Sequence, residues 1–307
     1  MNKQKYRKAK WPKSWIQWEV NGTTFISVPF TWLLPKLKSH LKTSYKFSPV
    51  VVGGPAVKAM PSFLSGISGV TVDTGDIKGV LQRFEPLATK TTYGCIRKCK
   101  FCLVRKTEGK FTELDEWPNL PIVCDNNILA SSGSHFQKVI NGLVDEWGWA
   151  DFNGGIDVRI LTKYHARQFA RIKKAVLRIA LDDNSYIDKW ISAVKLLTDL
   201  GVKRSNIRSY ALIGFNSDPQ EAWARCMFIE KSGIMPIPMW FRRSDAMYKN
   251  KITEEQKELG WSEQERLRIM SWFYNRTILG SGHTKKSNMY IKKSFFSKIK
   301  KETNLNG

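Results

Sequence analysis

The sequence predicts an α/β fold: a partial (β/α)6 barrel in the middle of the chain, preceded by a small α/β region and followed by a helical extension. Two observations predict the barrel. Between residues 86 and 242, short apolar segments alternate with segments of helical period, which is the pattern of parallel β/α units. Several apolar segments also end in polar residues, as at Asp125 and Asp182. The carboxyl ends of parallel strands form the usual ligand edge, and these polar ends fall there.

Six predicted strands supply the barrel, each an apolar run bounded by polar or turn residues. They cover residues 86–91, 120–124, 151–161, 176–181, 207–215 and 234–241. Four helices with apolar residues at helical spacing are predicted between them, over residues 134–147, 162–174, 185–200 and 218–232. Thr162 is expected to cap the second helix and Asp218 the fourth, while Gly201 ends the third.

The amino-terminal part, residues 1–85, predicts a basic segment and a small Rossmann-like region. It contains two strand-like runs, residues 25–29 and 49–52. The second run leads into Gly53 and Gly54, as a strand does before a tight turn.

After the barrel unit, residues 86–245, the β/α rhythm stops. Helix-start signals appear at Thr253 and Ser262, so residues 246–307 are expected to form a helical extension with a basic tail. The tail itself is polar and lysine-rich, and solvation is its expected state.

Three of the five cysteines lie close together, as Cys95, Cys99 and Cys102 in a CxxxCxxC pattern. Three thiolates on a short loop can bind three irons of a 4Fe-4S cluster and leave the fourth iron open to an outside ligand. A closed zinc site needs four ligands, and the chain has no second CxxC or HxxxH pair. Three unrelated thiols or an opportunistic metal site remain the alternatives. Cys124 and Cys226 lie in apolar runs and are expected to be buried.

The cysteine spacing, with Phe101 just before the last cysteine, resembles the cluster loop of the radical S-adenosylmethionine (SAM) superfamily. Segments 124–129, 152–159 and 210–215 look like strand ends in the group of that superfamily that often carries a cobalamin-binding domain in front. The likeness covers residues 86–242. It implies a 4Fe-4S cluster, SAM as the outside ligand, and an external flavodoxin- or ferredoxin-like electron donor. It also implies cleavage of SAM to a 5′-deoxyadenosyl radical that abstracts hydrogen from a substrate.

The resemblance carries roles over to three residues near the cluster. Members of the superfamily hold the methionine amino group of SAM with a Gly-Gly-Glu-like segment after the second strand. This sequence departs from that pattern, and Asp125 and Asn127 are implied to supply the acceptors instead. Phe101 is implied to pack near the adenine.

Further roles fall at the ends of the later strands. Asp157 and Arg159 are implied to face the pocket, with Arg159 pairing with the methionine carboxylate. Asp182 is implied to reach the ribose hydroxyls, and Gly214 to allow close approach of the backbone to the adenine. Helix capping or an ordinary salt bridge remains an open interpretation for each polar residue, because polar strand ends commonly cap the next helix.

The chain is strongly basic, with 50 Lys and Arg against 27 Asp and Glu and a net charge of +23. The excess lies at both ends: residues 1–48 contain one acidic residue, Glu19, and residues 281–307 contain one, Glu302. Such a field attracts polyanions, so nucleic acid or a phosphorylated molecule is the leading candidate for the substrate. A surface that serves only solubility is the alternative.

Three tryptophans near the amino terminus, Trp11, Trp15 and Trp18, would share one face if this segment were helical. A face of that kind stacks on bases or packs against a domain. Packing is the favoured interpretation, because it is the commoner use of such a stripe.

No apolar run reaches the ~18 residues that a membrane span needs, and no apolar core follows the lysine-rich start. We therefore expect no membrane partner. A labile cluster requires reduced thiols, and a cytoplasmic location is expected.

Cobalamin is allowed but not favoured. Residues 50–55 are similar to a strand and turn of the cobalamin-binding domain in the same group, yet the region is short. No Asp-x-His-x-x-Gly stretch presents a histidine to cobalt. Two rivals to the radical SAM prediction therefore stay open: a cobalamin-dependent radical SAM methyltransferase, and a non-catalytic metal-cluster protein that binds nucleic acid.

Overall fold

The structure is a computed structural model and describes residues 5–44, 49–76 and 79–279, with the backbone alone for residues 275–279. Its strands are β1 (Ile16–Val20), β2 (Thr23–Ser27), β3 (Val50–Gly53), β4 (Val70–Val72), β5 (Ala88–Thr89), β6 (Thr92–Tyr93), β7 (Thr112–Glu113), β8 (Ile122–Val123), β9 (Trp149–Ile156), β10 (Lys174–Ala180), β11 (Ile207–Ile213) and β12 (Met235–Trp240). The α-helices of the described residues are α1 (Leu34–Ser44), α2 (Pro55–Ala59), α3 (Val80–Phe84), α4 (Val104–Thr107), α5 (Gly133–Gly142), α6 (Lys163–Ala170), α7 (Ile187–Asp199), α8 (Pro219–Lys231), α9 (Glu254–Glu258) and α10 (Glu263–Leu279).

The larger sheet is parallel throughout, with the strand order β5-β8-β9-β10-β11-β12. Each of the six strands expected from the sequence is present, and β5 and β8 are shorter than expected. The third expected strand is shifted: β9 starts at Trp149 and ends at Ile156 instead of near residue 161. It ends there because Asp157 Oδ1 accepts a hydrogen bond from the Arg159 backbone N–H at 3.1 Å, which closes a turn.

Helices α5 to α8 connect these strands and share a core with one face of the sheet. Leu177 and Ile179 of β10 belong to that core. Phe169 on α6 packs edge-on against Phe136 on α5, with ring centres 5.4 Å apart, and against Phe152 of β9 at 4.8 Å. Because side chains alternate along a strand, Asp151 of β9 and Arg178 of β10 point to the opposite face, where they form an ion pair.

The expected helix caps are confirmed. The Thr162 side chain accepts from the His165 backbone N–H, and the Asp218 side chain accepts from that of Glu221. The helix expected over residues 134–147 is α-helical to Gly142 and then continues as a π-helical turn. Within the described residues, every helix is too short or too polar to cross a bilayer.

The smaller sheet has the sequential order β1-β2-β3-β4, with β1 antiparallel to β2 and the other pairs parallel. Ile26, Leu37 and Val52 lie in its core. Doubly wound sheets bind ligands where the strand order reverses. Over the residues that the structure describes, strands and helices alternate from β2 to β4, β1 and β2 form a hairpin, and the sheet has no such reversal.

The amino-terminal tryptophans do not form a helical stripe. Trp18 lies in strand β1, and its ring stacks on Phe25 of β2 with centres 5.7 Å apart. Trp15 packs against the core of the smaller sheet, and Trp11 stays 38% exposed. The packing interpretation is therefore correct for Trp15 and Trp18.

Residues 5–10 run against the amino-terminal edge of the larger sheet. The Tyr6 ring packs edge-on against Trp149 at 5.3 Å, and Lys174 Nζ lies 3.9 Å from its centre. Arg7 forms an ion pair with Glu85, a residue only 1% exposed. The hydrogen bond from Arg7 lowers the pKa of Glu85 to about 2. Residues 5–10 thus lie at the amino-terminal edge of the sheet, and the cysteine loop lies at its carboxyl edge.

The described part of the carboxy-terminal extension contains helices α9 and α10, after a non-helical segment over residues 246–253. Thr253 and Gln256 form a capping box at the start of α9. Gln256 Nε2 donates to the carbonyls of Gly214, at 2.8 Å, and Phe241, at 3.3 Å. The expected basic tail, residues 281–307, lies outside the described residues.

Candidate metal and cofactor site

The cysteine loop is closed at its base by the antiparallel pair β6 and β7. Gly94 has φ +69°, and a Cβ there would overlap the Lys110 carbonyl, so the two sides of the loop meet where only glycine fits. Glu108 holds the base together. Its carboxylate accepts from the Gly94 backbone N–H at 3.1 Å and from Asn126 Nδ2 at 2.7 Å, and it pairs with Lys90. The loop is thus fixed to the residues that follow β8.

Cys95 and Cys99 are half-buried on this loop, and Cys102 is exposed. The Cys102 backbone N–H donates to the Cys99 carbonyl at 3.0 Å. Cys95 Sγ accepts from the Arg97 backbone N–H at 3.4 Å. Partial loss of solvation raises the pKa of the Cys102 thiol, and the other two cysteines raise it further. Three thiolates so close together repel one another, which a cationic iron centre offsets.

Within the described residues, no three His, Cys, Asp or Glu side chains are arranged as ligands of one metal ion. A 4Fe-4S cluster takes one thiolate per iron, so its ligands do not converge on one point. The two other cysteines have different surroundings. Burial raises the pKa of Cys124 and of Cys226 to about 12, so both thiols stay protonated.

Asp157, at the carboxyl end of β9, ties the cysteine loop to the sheet. Its Oδ2 accepts from Arg97 Nε at 2.9 Å and from Arg159 Nη2 at 3.0 Å, and its Oδ1 accepts from Arg159 Nε at 2.7 Å. Burial alone would raise the pKa of Asp157, but the two guanidinium groups hold it below its ordinary value. The Arg159 guanidinium also lies 4.9 Å from the centre of the Tyr186 ring. An ionised carboxylate therefore orients Arg159 at the edge of the site.

Asn127 follows β8 and is only 2% exposed. Its Nδ2 donates to Asp157 Oδ2 at 3.3 Å and lies 3.9 Å from Cys95 Sγ. Its Oδ1 is buried and has no hydrogen-bond partner among the described residues. An unpaired buried acceptor costs about 1–3 kcal/mol, which a ligand that donates a hydrogen bond would recover. The three thiols and this acceptor therefore fit a cluster with an ammonium group bound beside it.

Asp125 has different partners, although it lies two residues from Asn127. Its Oδ1 accepts from the backbone N–H groups of Thr91, at 2.6 Å, and Thr92, at 2.8 Å. Its Oδ2 accepts from the Thr91 hydroxyl at 2.7 Å. Both oxygens thus serve the segment that leads into the cysteine loop.

Asp182 and Gly214 lie at the carboxyl ends of β10 and β11. Asp182 is half-buried, its Oδ1 accepts from the Leu212 backbone N–H at 3.1 Å, and burial raises its pKa to about 6. Gly214 has φ +76°, and a Cβ there would overlap the Trp240 ring. The close approach that requires glycine is thus made by Trp240.

Three phenylalanines form one wall of the site. The Phe101 ring packs edge-on against Phe215, with centres 5.6 Å apart, and Phe215 packs against Phe241 at 4.7 Å. All three are half-buried. Phe215 and Phe241 follow β11 and β12, so this wall joins the cysteine loop to the last strands of the sheet. Phe215 and Phe241, like Arg97 and Glu108, were not predicted from the sequence as residues of the site. The one available signal was that Arg97 lies inside the cysteine motif.

Comparison with known proteins gives a structural likeness. No protein-family model matches the chain, and no curated protein matches its sequence. Its structure resembles TsrM of Kitasatospora setae, a radical SAM methyltransferase with cobalamin and a [4Fe-4S] cluster bound, at a TM-score of 0.52 and 11% identity. The fold is similar to that of a radical SAM enzyme. This match covers 73% of the present chain and 64% of the TsrM chain.

A second TsrM structure, with tryptophan substrate and a SAM analogue bound, matches at a TM-score of 0.50 and 11% identity. This match covers 62% of the second TsrM chain and again 73% of the present chain. The present chain thus spans less than two thirds of either matched chain. At this identity the likeness shows the fold, and the chemistry has to be argued from the residues.

Proposed function

We propose that this protein is a radical SAM enzyme in which Cys95, Cys99 and Cys102 hold a 4Fe-4S cluster and SAM is the ligand of the fourth iron. The observation that carries the proposal is Asn127, at the carboxyl edge of a parallel sheet: its Nδ2 lies 3.9 Å from Cys95 Sγ, and its buried Oδ1 has no hydrogen-bond partner among the described residues. The likeness of the fold to a radical SAM enzyme supports it. The sequential strand order, with connecting helices that share one core with the sheet, favours a curved partial barrel.

Each polar residue then has a distinct task. Asn127 accepts a hydrogen bond from the methionine amino group, and Arg159 pairs with the methionine carboxylate while Asp157 holds it in place. Asp182 accepts from the ribose hydroxyls. Asp125 supports the loop instead of the ligand, because both of its oxygens already have donors. This assignment revises the role that the resemblance implied for Asp125.

With a cluster and SAM bound and one electron received from outside, this site would supply a radical able to remove a hydrogen atom from a substrate. The wall of Phe101, Phe215 and Phe241, whose rings pack on one another, would lie beside the adenosyl group and exclude water from it. Such a site needs an outside electron, and the exposed Lys98 and Lys100 on the cysteine loop suit an acidic flavodoxin- or ferredoxin-like donor. Because a labile cluster requires reduced thiols, the proposal includes a cytoplasmic location.

Cobalamin-dependent methyl transfer is the second candidate, because TsrM is described with cobalamin bound. The turn after β3 argues against it. Gly54 has φ +97°, and a Cβ there would lie 2.8 Å from the Val28 backbone nitrogen, so the protein itself fills the space beside the turn. The missing reversal of strand order in the described part of the smaller sheet points the same way.

Anaerobic reconstitution with iron and sulfide tests the proposal. The wild type should bind about four irons per chain and form 5′-deoxyadenosine from SAM when a reductant is added. Cys99→Ala should lose both properties. The matched control is Cys226→Ala, which removes a buried thiol on α8 and should keep both.

Three other results would point elsewhere. Deoxyadenosine formation by Cys99→Ala would refute the proposal. A single bound zinc with no SAM cleavage would favour the non-catalytic metal protein. Stoichiometric binding of hydroxocobalamin, seen in the visible spectrum, would favour the methyltransferase.

A further inference from the structure

An aromatic stack capped by arginine lies where the two sheets meet. Phe30 and Trp32 follow β2, and their rings are stacked with centres 4.5 Å apart and planes 7° from parallel. The guanidinium of Arg242, which follows β12, lies 5.0 Å from the centre of the Trp32 ring. These residues thus come from the carboxyl side of one strand in each sheet. Together with Tyr248 they are called the joint surface below.

Hydrogen bonds hold the joint surface in place. The Thr31 hydroxyl donates to the Ala246 carbonyl at 2.7 Å, and Arg242 Nε donates to the Lys249 carbonyl at 2.6 Å. The first bond joins residues 215 positions apart, and the second closes a turn of seven positions. Together they fix the segment that carries Tyr248. Tyr248 is nevertheless 70% exposed, and Phe30 is 38% exposed. Two aromatic rings are therefore held on a fixed backbone with surface open to solvent.

Positively charged side chains lie near these rings, and no carboxylate neutralises Arg242 among the described residues. Arg242 forms no ion pair with a carboxylate among the described residues. Burial lowers its pKa, and the neighbouring Arg266 lowers it further. Lys249 and Lys251 are exposed on the same segment. An anion at this place would stabilise the guanidinium that the protein leaves unbalanced.

The joint surface is continuous with the candidate site. Arg242 directly follows Phe241, whose ring packs against Phe215 at 4.7 Å. Phe215 in turn packs against Phe101 on the cysteine loop. A ligand that lies on the joint surface therefore lies at one end of the phenylalanine wall.

We propose that the joint surface binds single-stranded nucleic acid, with a base stacked on Phe30 or Tyr248 and a backbone phosphate at Arg242. Exposed aromatic rings beside unpaired cations suit this ligand, because every base has a flat face for stacking and every linkage carries a negative charge. An acidic peptide would use the charge but not the rings. The assignment rests on the proposed function in one respect: it makes a nucleotide of the bound strand the substrate of the cluster site.

Binding of a fluorescein-labelled oligothymidylate, or oligouridylate, to the full chain tests the proposal by fluorescence anisotropy at low ionic strength. The double variant with Phe30→Ala and Tyr248→Ala should bind about 5- to 150-fold more weakly than the wild type, which is the loss expected for one base-stacking contact. Arg242→Gln should weaken binding by at least about 5-fold and make it less sensitive to salt. Thermal unfolding monitored by circular dichroism checks that each variant is folded.

The chain offers matched controls. Arg83 lies 4.8 Å from the Trp18 ring, which stacks on Phe25, so Arg83→Gln removes the same charge from the same kind of stack elsewhere. Tyr164 is 37% exposed on α6, and Tyr164→Ala removes a comparable ring. Both controls should change the affinity less than 2-fold. Equal losses in controls and test variants would mean that the oligonucleotide binds by charge alone, and the proposal would fall.

The test separates this proposal from the proposed function. Folded Phe30, Tyr248 and Arg242 variants that bind the strand like the wild type would overturn the joint surface, even if the cluster loads and SAM is cleaved. Loss of strand binding in these variants would uphold it even if no cluster forms. Binding of hydroxocobalamin that depends on Phe30, with strand binding unchanged, would assign the surface to a corrin instead.

Discussion

At the scale of single residues, Asp125 and Asn127 are equally buried on one short segment but differ in their hydrogen-bond partners. Both are 2% exposed and both follow β8. Asp125 has three hydrogen-bond donors for its two oxygens, and all of them lie in Thr91 and Thr92. Asn127 has an oxygen with no donor among the described residues, on an amide whose nitrogen lies 3.9 Å from Cys95 Sγ. The difference assigns Asp125 to the support of the loop and leaves Asn127 available to a ligand.

Asn127→Ala is expected to weaken SAM binding by about 10- to 150-fold, because it removes a hydrogen bond to a charged amino group. The cluster spectrum should be unchanged, since the cysteines remain. Equilibrium titration of the reconstituted protein with SAM measures the effect. The control is Asn141→Ala on α5, which also removes a buried amide oxygen without a partner in the described residues. Equal SAM affinity in the two variants would contradict the role given to Asn127.

Arg7→Gln should lower the free energy of unfolding at pH 7 by about 1–3 kcal/mol, because it removes a charge-assisted hydrogen bond from the buried Glu85. The pKa of Glu85 is lowered from 4.5 to about 2 in the folded protein. The stabilisation is therefore complete above pH 4.5 and is lost as the pH falls towards about 2.

Urea unfolding of wild type and variant at several pH values measures this difference. The two proteins should converge in stability as the pH falls below 4.5. Lys8→Gln, which changes the exposed neighbouring residue, is the control and should behave like the wild type. A difference that stays constant down to pH 3 would show that Glu85 is not the group involved.

At the scale of elements, the carboxyl ends of β11 and β12 are built around one close contact. Gly214 takes a positive φ so that the Trp240 ring can pack over it, and its carbonyl accepts from Gln256 of α9. The Trp240 ring also packs edge-on against Trp261, with centres 5.0 Å apart. The extension after the barrel is thus docked on the strand ends by a hydrogen bond and an aromatic contact.

Gly214→Ala is expected to cost about 2–4 kcal/mol in the free energy of unfolding, from a strained φ and an overlap with Trp240. Gly22→Ala separates the two causes. Gly22 has φ +73°, but a Cβ there would meet nothing within 4 Å, so this variant should cost only about 1–2 kcal/mol. Chemical denaturation of both variants measures the costs. Equal costs would mean that the contact with Trp240 adds nothing.

At the scale of the whole molecule, charge and topology act together. The net charge of +23 draws polyanions to the protein. The parallel sheet brings its strand ends to one edge, where the cysteine loop, the phenylalanine wall and the joint surface lie next to one another. A field of this sign would raise the local concentration of the proposed polyanionic ligand around the joint surface.

Deletion of residues 281–307, which contain seven lysines, should flatten the dependence of nucleic-acid binding on salt. Each neutralised phosphate of a single strand contributes about −0.7 to the slope of log K against log salt concentration. SAM cleavage without substrate should be nearly unchanged, because the deleted segment contains no cysteine. Anisotropy titrations over a range of salt concentrations measure the slope. An unchanged slope would locate the phosphate contacts in the described residues instead.

Local sequence patterns were sufficient for the elements of the larger sheet. Its six strands, the caps at Thr162 and Asp218, and the helical start at Thr253 depend on residues close together in the chain, so spacing and turn chemistry reveal them. The cysteine motif is equally local. The strand order of the smaller sheet and the extended course of Trp18 were not predictable in this way, because pairing between strands overrides the period of a short segment.

The partners within the site depended on tertiary structure. Arg97 meets Asp157 sixty positions away, and Phe30, Trp32 and Arg242 meet across two sheets. Such contacts follow from loop closure, strand register and the packing of one sheet beside another, and none of these leaves a periodic trace in the sequence. The residue types needed for the chemistry are therefore visible in the sequence. The fold sets their hydrogen bonds: it orients Arg159 and supplies donors to Asp125, and it leaves the Asn127 Oδ1 without a partner among the described residues.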